Sequence, residues 1–324
     1  MKTIPEPISA VRRFTMNSGK EKPSAKRRAR FSRLQRREML VAYLLLTPAL
    51  CLFLLFSVGP LIGAFLLSLF QWDMFTAAKF SGLANFKTLI TDKVALTAIG
   101  NTFVFTFWSL VLHISLGLLL ALAVNRGLPT SLKYFLRTAY FFPLMLPWAA
   151  VALIWLFLVD PSFGPVNYYL GKLGLQMPNW LLTPQLAMPT LIFVDLWRTL
   201  GFTFVILLTG LIGVPLELYE AARIDGAQAF QRFRYVTLPM MSPTLFFASV
   251  ITVIGAFQIF DPMYIMTQGG PGDKTRSIVL YIYETGFRSF NMGYASTLAL
   301  VVFLVIMLIT LIQLVVSRYW VHYE

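Results

Sequence analysis

The sequence predicts an all-α membrane protein with six transmembrane helices, and three observations predict it. Six apolar runs are each long enough to cross a hydrocarbon layer of about 30 Å, which takes roughly 20 helical residues. The 324 residues are 57% hydrophobic and only 13% charged, with a mean hydropathy of +0.71, against about a quarter charged in soluble domains. What polarity there is gathers in a basic N-terminal tail and in one helix-forming loop, residues 217–243.

Residues 1–38 hold twelve Lys or Arg and three Glu, a net +9 of the chain's formal +13. With Pro5, Pro7, Pro23 and the run Lys26-Arg27-Arg28-Ala29-Arg30, this tail has too few apolar residues to bury a core. It is expected to be a largely disordered cytoplasmic tail near anionic lipid, with an interfacial helix over 31–39. The apolar run after it is about 30 residues, longer than the h-region of a signal peptide. A positive charge confined to a tail beside apolar spans argues for a membrane surface and against nucleic acid.

The spans are expected at 40–70, 99–124, 135–159, 187–212, 244–266 and 295–316, so that 39–324 forms one transmembrane domain. Gly59-Pro60 in the first and Pro143 and Pro147 in the third predict kinks. With the tail inside, inner segments carry 19 Lys or Arg and outer segments 7, and Arg198 lies within a span. Without the tail the count is level, so the tail sets the orientation: both termini and the 217–243 loop cytoplasmic. Outer loops are short, and Gln268-Gly269-Gly270-Pro271-Gly272 is a dense turn signal.

The 217–243 loop reads as two helical pieces with a bend between them. Pro215 suits a helix start, Glu217 and Glu220 complement the positive end of its dipole, and Gly226 allows the bend after Asp225. Phe230 and Phe233 give the second piece an apolar side, and Pro239 and Pro243 are expected to stop it before the fifth span. Such a loop either docks a soluble partner or rests on lipid as an amphipathic helix.

Catalytic constellations are missing from the sequence. There is no Gly-x-x-x-x-Gly-Lys-Ser/Thr to cradle phosphates, no His-Glu-x-x-His and no Gly-x-Ser-x-Gly. Cys51, the single cysteine, excludes a disulfide within the chain. His113 is read as a packed, hydrogen-bonded side chain in preference to a proton carrier. No enzyme activity is expected.

Glu220-Ala221-Ala222, Asp225-Gly226-Ala227 and Leu238-Pro239 closely resemble, with no insertion, the EAA signature of inner-membrane permeases of binding-protein-dependent ABC importers. The resemblance extends over most of the chain. Phe80-Ser81-Gly82-Leu83-Ala84-Asn85-Phe86, Asn101-Thr102, the run from Leu116 to Leu122, Trp197-Arg198-Thr199-Leu200-Gly201-Phe202, Phe260-Asp261, Thr267-Gln268-Gly269-Gly270-Pro271 and Gly293-Tyr294-Ala295 are similar to its carbohydrate-uptake branch. The tail before Leu40 has no counterpart in the pattern.

The resemblance implies the type I importer permease fold in a bacterial or archaeal plasma membrane, with a cytoplasmic coupling helix between the fourth and fifth spans. It assigns Glu220, Ala221, Ala222, Asp225, Gly226, Ala227 and Pro239 to the ATPase contact, where small alanines permit close approach and carboxylates accept charge-assisted hydrogen bonds. The implied partners are a second permease, two ATPase subunits, an extracytoplasmic solute-binding protein and the bilayer. ATP is then bound and hydrolysed by the partner subunits, and this chain carries no cofactor and no metal site.

Among polar residues within spans, Asp195 and Arg198 stand at i, i+3 and are expected to pair on one face. Either one alone at mid-membrane costs about 2.5 to 3.5 kcal/mol on insertion scales. They and Gln258 and Asp261, expected late in the fifth span, read equally as walls of a translocation pathway or as polar groups that fix helix packing. Aromatic faces at Phe103, Phe105, Phe107, Trp148, Trp155, Trp197, Phe257 and Phe260 suit sugar rings, though lipid contact or core packing accounts for most. The rival reading, an ion-coupled secondary transporter, needs no docking loop and predicts paired halves with broken helices.

Overall fold

The computed structural model describes residues 33–125, 128–175 and 178–322. The chain divides into two compact units, one ending at Val58 and the other starting at Gly59. Most of the expected basic tail, residues 1–32, lies outside the described residues.

In the first unit, α1 (Arg33–Phe53) is followed by a π-helical turn at Leu54–Val58. Residues 33–39, expected as an interfacial helix, are the first turns of α1. Large side chains such as Leu44, Leu45 and Phe56 are exposed, the surface a lipid-facing segment presents. The irregularity expected at Gly59-Pro60 falls one turn earlier, where a wide π turn makes room for a proline ring with no N–H to donate.

The second unit opens with α2 (Gly59–Leu67), a short antiparallel pair β1 (Phe70–Gln71) and β2 (Lys79–Phe80), and α3 (Ala84–Thr91). Then follow α4 (Lys93–Asn125), α5 (Thr130–Phe141), α6 (Trp148–Leu158), α7 (Pro165–Lys172) and α8 (Pro184–Ile212). The loop pieces α9 (Leu216–Ile224), α10 (Ala229–Arg232) and α11 (Leu238–Met240) lead into α12 (Ser242–Phe257). Last come α13 (Ile278–Tyr283) and α14 (Met292–Trp320).

By length and apolarity, Arg37–Leu67, Lys93–Asn125, Pro184–Ile212 and Met292–Trp320 can each cross a membrane. Two bent pairs supply the others: Thr130–Met145 with Trp148–Leu158 at 101°, and Ala229–Met240 with Ser242–Phe257 at 66°. Six spans result when each pair counts as one. The third span thus bends where its prolines predict. The fifth departs from expectation. Its helix ends at Phe257, and after a turn a second helical segment runs over 261–267 with Pro262 in its first turn, where a missing N–H costs nothing. The second loop piece does stop before the fifth span, at Met240 with the bend at Met241, but Pro239 lies inside that piece and Pro243 falls in the first turn of α12.

The core is built where α4 lies along α8 and α12. Phe105, Val151, Leu191, Val194 and Met263 are fully buried at one end, and Ala121, Phe204, Leu207 and Met241 at the other. A third cluster of Ala95, Ala98, Ile278 and Leu298 joins α4 to α13 and α14.

Asp92 closes the α4 end of that third cluster. Its Oδ1 accepts from the N–H groups of Val94 at 2.9 Å and Ala95 at 3.1 Å, capping α4. Its Oδ2 accepts from the hydroxyls of Tyr281 at 2.6 Å and Tyr294 at 2.7 Å. Burial pulls the Asp92 carboxyl up, but those hydroxyls and N–H groups outweigh it and hold the group below its ordinary value. Burial, then the bond to Asp92, push the Tyr281 phenol up to about 12.

A depressed carboxylate stabilises the fold above its unfolded pKa, near 4, and the contribution is lost as pH falls through the lower folded value. Asp92→Ala is therefore expected to cost about 1 to 3 kcal/mol by stranding two hydroxyls and two N–H groups. Thermal melting in detergent checks this: the variant melts below wild type at neutral pH, and the gap narrows as the solution is acidified below the carboxylate range.

Candidate functional site

The site grows out of the bend in the third span. After α5 the chain makes a 3-10 turn at Phe142–Met145, and α6 starts only at Trp148. Pro147 has no N–H and forces Leu146 into extended geometry (φ −77°, ψ 137°). Carbonyls at the bend then need donors, and Arg198 of α8 supplies them. Its Nε donates to Leu146 O at 3.2 Å, and its Nη2 donates to Leu146 O at 3.0 Å and Leu144 O at 3.4 Å. The guanidinium lies 4.4 Å from the Trp148 ring centroid, a cation–π contact. Gly201, one turn further on, lets α8 touch the carbonyl of Tyr140; a Cβ there would collide with it.

The expected Asp195–Arg198 ion pair does not form among the described residues. Asp195 instead accepts from Ser109 Oγ at 3.1 Å, and its Oδ2 lies 4.0 Å from His113 Nε2. The two side chains leave α8 toward different neighbours, Arg198 to the bend and Asp195 to α4. His113 is a packed, hydrogen-bonded histidine: Nδ1 donates to Ser109 O at 2.7 Å and Nε2 meets Thr199 Oγ1 at 2.7 Å. The hydroxyls of Ser109 and Thr199 were not singled out from sequence. Their spacing four residues from His113 and Asp195, on one helical face, carries the signal.

A cavity of about 280 Å³ opens between these groups. Ser109 and His113 line it from α4, Trp148 from the bend, Asp195 and Arg198 from α8, and Thr252 from α12; Gln258, Phe260 and Asp261 complete it. All four candidate pathway residues thus share one space. Gln258 reaches it from the turn after α12, not from within a helix as expected, and Asp261 from the first position of a second helical segment, residues 261–267. Of the candidate aromatics only Trp148 and Phe260 border it; Phe105 and Phe257 are buried in the core, and Phe103 and Phe107 are exposed.

The loop between α8 and α12 is the second feature. Gly226 turns the chain after α9 with φ +76°, a left-handed conformation that disfavours side chains even though no atom lies within 4 Å of the place a Cβ would occupy. Gln228 N–H donates to Gln231 Oε1 at 2.6 Å to start α10. Tyr219, also not singled out from sequence, anchors α9: its hydroxyl meets Thr237 Oγ1 at 2.9 Å and its ring packs on the Phe204 cluster. Glu220, Ala221, Asp225 and Gly226 are exposed, and Ala222, Ala227 and Pro239 are half-buried. The Glu220 and Asp225 carboxylates make no salt bridge among the described residues. Ile224, 88% exposed, and Phe230, 74% exposed, stand beside them. Free carboxylates and uncovered apolar side chains thus lie together on this loop.

A helical bundle with a polar cavity and such a loop is a membrane transport subunit. Residues 113–320 match the model of the binding-protein-dependent transport system inner membrane component, and the chain belongs to that family. It is 36% identical over 278 residues to the probable ABC transporter permease protein YurN of Bacillus subtilis, covering 85% of this chain and 95% of the relative. It is 35% identical over 289 residues to the trehalose/maltose transport system permease protein MalF of Thermococcus litoralis, covering 89% and 97%. Over 286 residues it is 31% identical to the sn-glycerol-3-phosphate transport system permease protein UgpA of Agrobacterium fabrum, covering 88% and 97%. Among solved structures it resembles a chain of a bacterial ABC transporter involved in import of the acidic polysaccharide alginate, with TM-score 0.78, 26% identity, and 89% of this chain and 99% of that one covered. The protein is therefore a multi-pass ABC importer permease of the type I fold, a transport subunit and not an enzyme.

Because Arg198 serves the bend and Asp195 serves α4, double-mutant cycles on melting temperature are expected to separate them. Arg198→Gln with Trp148→Leu should show a coupling of about 0.5 to 2 kcal/mol. Arg198→Gln with Asp195→Asn should be additive within about 0.5 kcal/mol; a larger coupling there would restore the ion pair.

Proposed function

We propose that this chain is one of two membrane subunits of an ATP-driven importer for a carbohydrate or related polyol, and that it couples solute passage in its cavity to ATP hydrolysis on separate subunits. The observation that carries the reading is one of connectivity. The exposed loop of α9 to α11 is the direct link between α8 and α12, and both helices line the cavity. A push on the loop acts on two cavity walls at once.

In this reading Glu220, Ala221, Ala222, Asp225, Gly226, Ala227 and Pro239 form or shape the ATPase contact. The free carboxylates offer charge-assisted hydrogen bonds to basic groups, and Ile224 and Phe230 supply apolar area. Asp195, Arg198, Gln258 and Asp261 belong to the solute path, where hydroxyl-rich solutes find both donors and acceptors beside the Trp148 and Phe260 rings. The orientation follows the basic tail: both termini and the α9–α11 loop cytoplasmic, and 39–324 the transmembrane domain behind a tail of 1–38. The other partners are a homologous second permease, two ATPases and an extracytoplasmic binding protein. The names of the relatives, which include trehalose/maltose and sn-glycerol-3-phosphate systems, support the solute class.

Reconstituted with its partner subunits, the complex is expected to take up solute in an ATP-dependent manner that survives a protonophore; loss of uptake on collapsing the proton gradient would favour ion coupling instead. Gly226→Asp places a side chain at a left-handed residue, costing roughly 1 to 2 kcal/mol, and is expected to abolish uptake while the chain still inserts. Normal uptake by that variant would remove the bend from the coupling mechanism.

A further inference from the structure

A groove away from the cavity carries a separate chemistry. It has a volume of about 350 Å³ and is lined by Arg137, Thr138, Phe141, Phe142, Met145 and Val205. Lys133, Arg137, Phe141 and Met145 follow one another at intervals of four, so α5 and the 3-10 turn after it carry a single ridge. The ridge is basic at its start and apolar at its end. The other side of α5 is committed to the interior, where Leu136 and Tyr140 pack on the Phe204 cluster. Phe142 and Met145 on the open side are 59% and 74% exposed.

Arg137 gives the groove its demand for a ligand. Its Nε is buried and has no hydrogen-bond partner among the described residues, and neither it nor Lys133 makes a salt bridge there. A buried guanidinium donor without an acceptor is costly, and an anion that brings oxygen atoms relieves it. The apolar length beyond Arg137 must meanwhile be covered by hydrocarbon.

We propose that this groove binds an anionic phospholipid, with the phosphate held by Arg137 and Lys133 and the first part of an acyl chain laid along Phe141, Phe142 and Met145. The polarity of the ridge changes once, from cationic to apolar, as a phospholipid's changes from phosphate to chain. A protein occupant would have to place a carboxylate at Arg137 and then continue as an apolar surface, whereas the bilayer supplies that sequence of groups in every molecule. The groove shares no lining residue with the cavity or with the α9–α11 loop.

The test uses the purified permease complex reconstituted in phosphatidylcholine with and without phosphatidylglycerol, then washed in detergent. Retained phosphatidylglycerol is counted by mass spectrometry and melting temperature is recorded. Wild type is expected to retain phosphatidylglycerol and to melt higher with it. Arg137→Gln should lower retention about fivefold, the factor one basic residue contributes near an anionic surface, whereas Arg137→Lys should keep most of it. Met145→Trp, which fills the apolar end and leaves both charges intact, should also lower retention. Equal retention by wild type, Arg137→Gln and Met145→Trp overturns the proposal. So does efficient photocrosslinking to another membrane subunit from Met145→Cys, in a Cys51→Ser background, labelled with benzophenone maleimide, because protein would then occupy the groove.

Discussion

A helix that bends within a membrane span leaves backbone carbonyls without partners in its own ladder. In this protein Arg198 takes them. The bend at Pro143 and Pro147, the cation–π contact with Trp148 and the space beside them all depend on that one side chain reaching across from α8. An arginine within a membrane span is expensive in isolation. Here its donors meet the groups that the bend would otherwise leave bare, so two costly features offset each other.

The same economy appears at the other polar group of α8. Asp195 turns away from Arg198 toward a hydroxyl and a histidine of α4, so the polar face of α8 is divided between two neighbours. Neither cluster is closed by a strong ion pair. Hydrogen bonds of this kind can be exchanged singly as helices shift, whereas a buried salt bridge would have to be broken whole.

Much of this was legible in the sequence. Apolar run lengths gave the spans, prolines gave the bend, and Gly226 gave the turn, because each of these follows from local chemistry. The motif strings were legible as strings, yet their physical duties were not. Asn101 donates to the carbonyls of Asp273 and Arg276, and Thr102 Oγ1 accepts from Ile278 N–H; Asn85 holds the carbonyls of Ser68 and Phe70. These contacts span up to 176 residues, a separation that no local pattern encodes. The failed Asp195–Arg198 pair has the same cause. Spacing on a helix says which side chains share a face and nothing about what the neighbouring helices offer them.

Asp92 lies where α4 begins, at the end of the bundle opposite the α9–α11 loop, and one carboxylate there is shared by α13, α14 and the α4 cap. Residues as far apart as 202 positions in the sequence are thus fastened to one carboxylate, as a single rivet holds three plates.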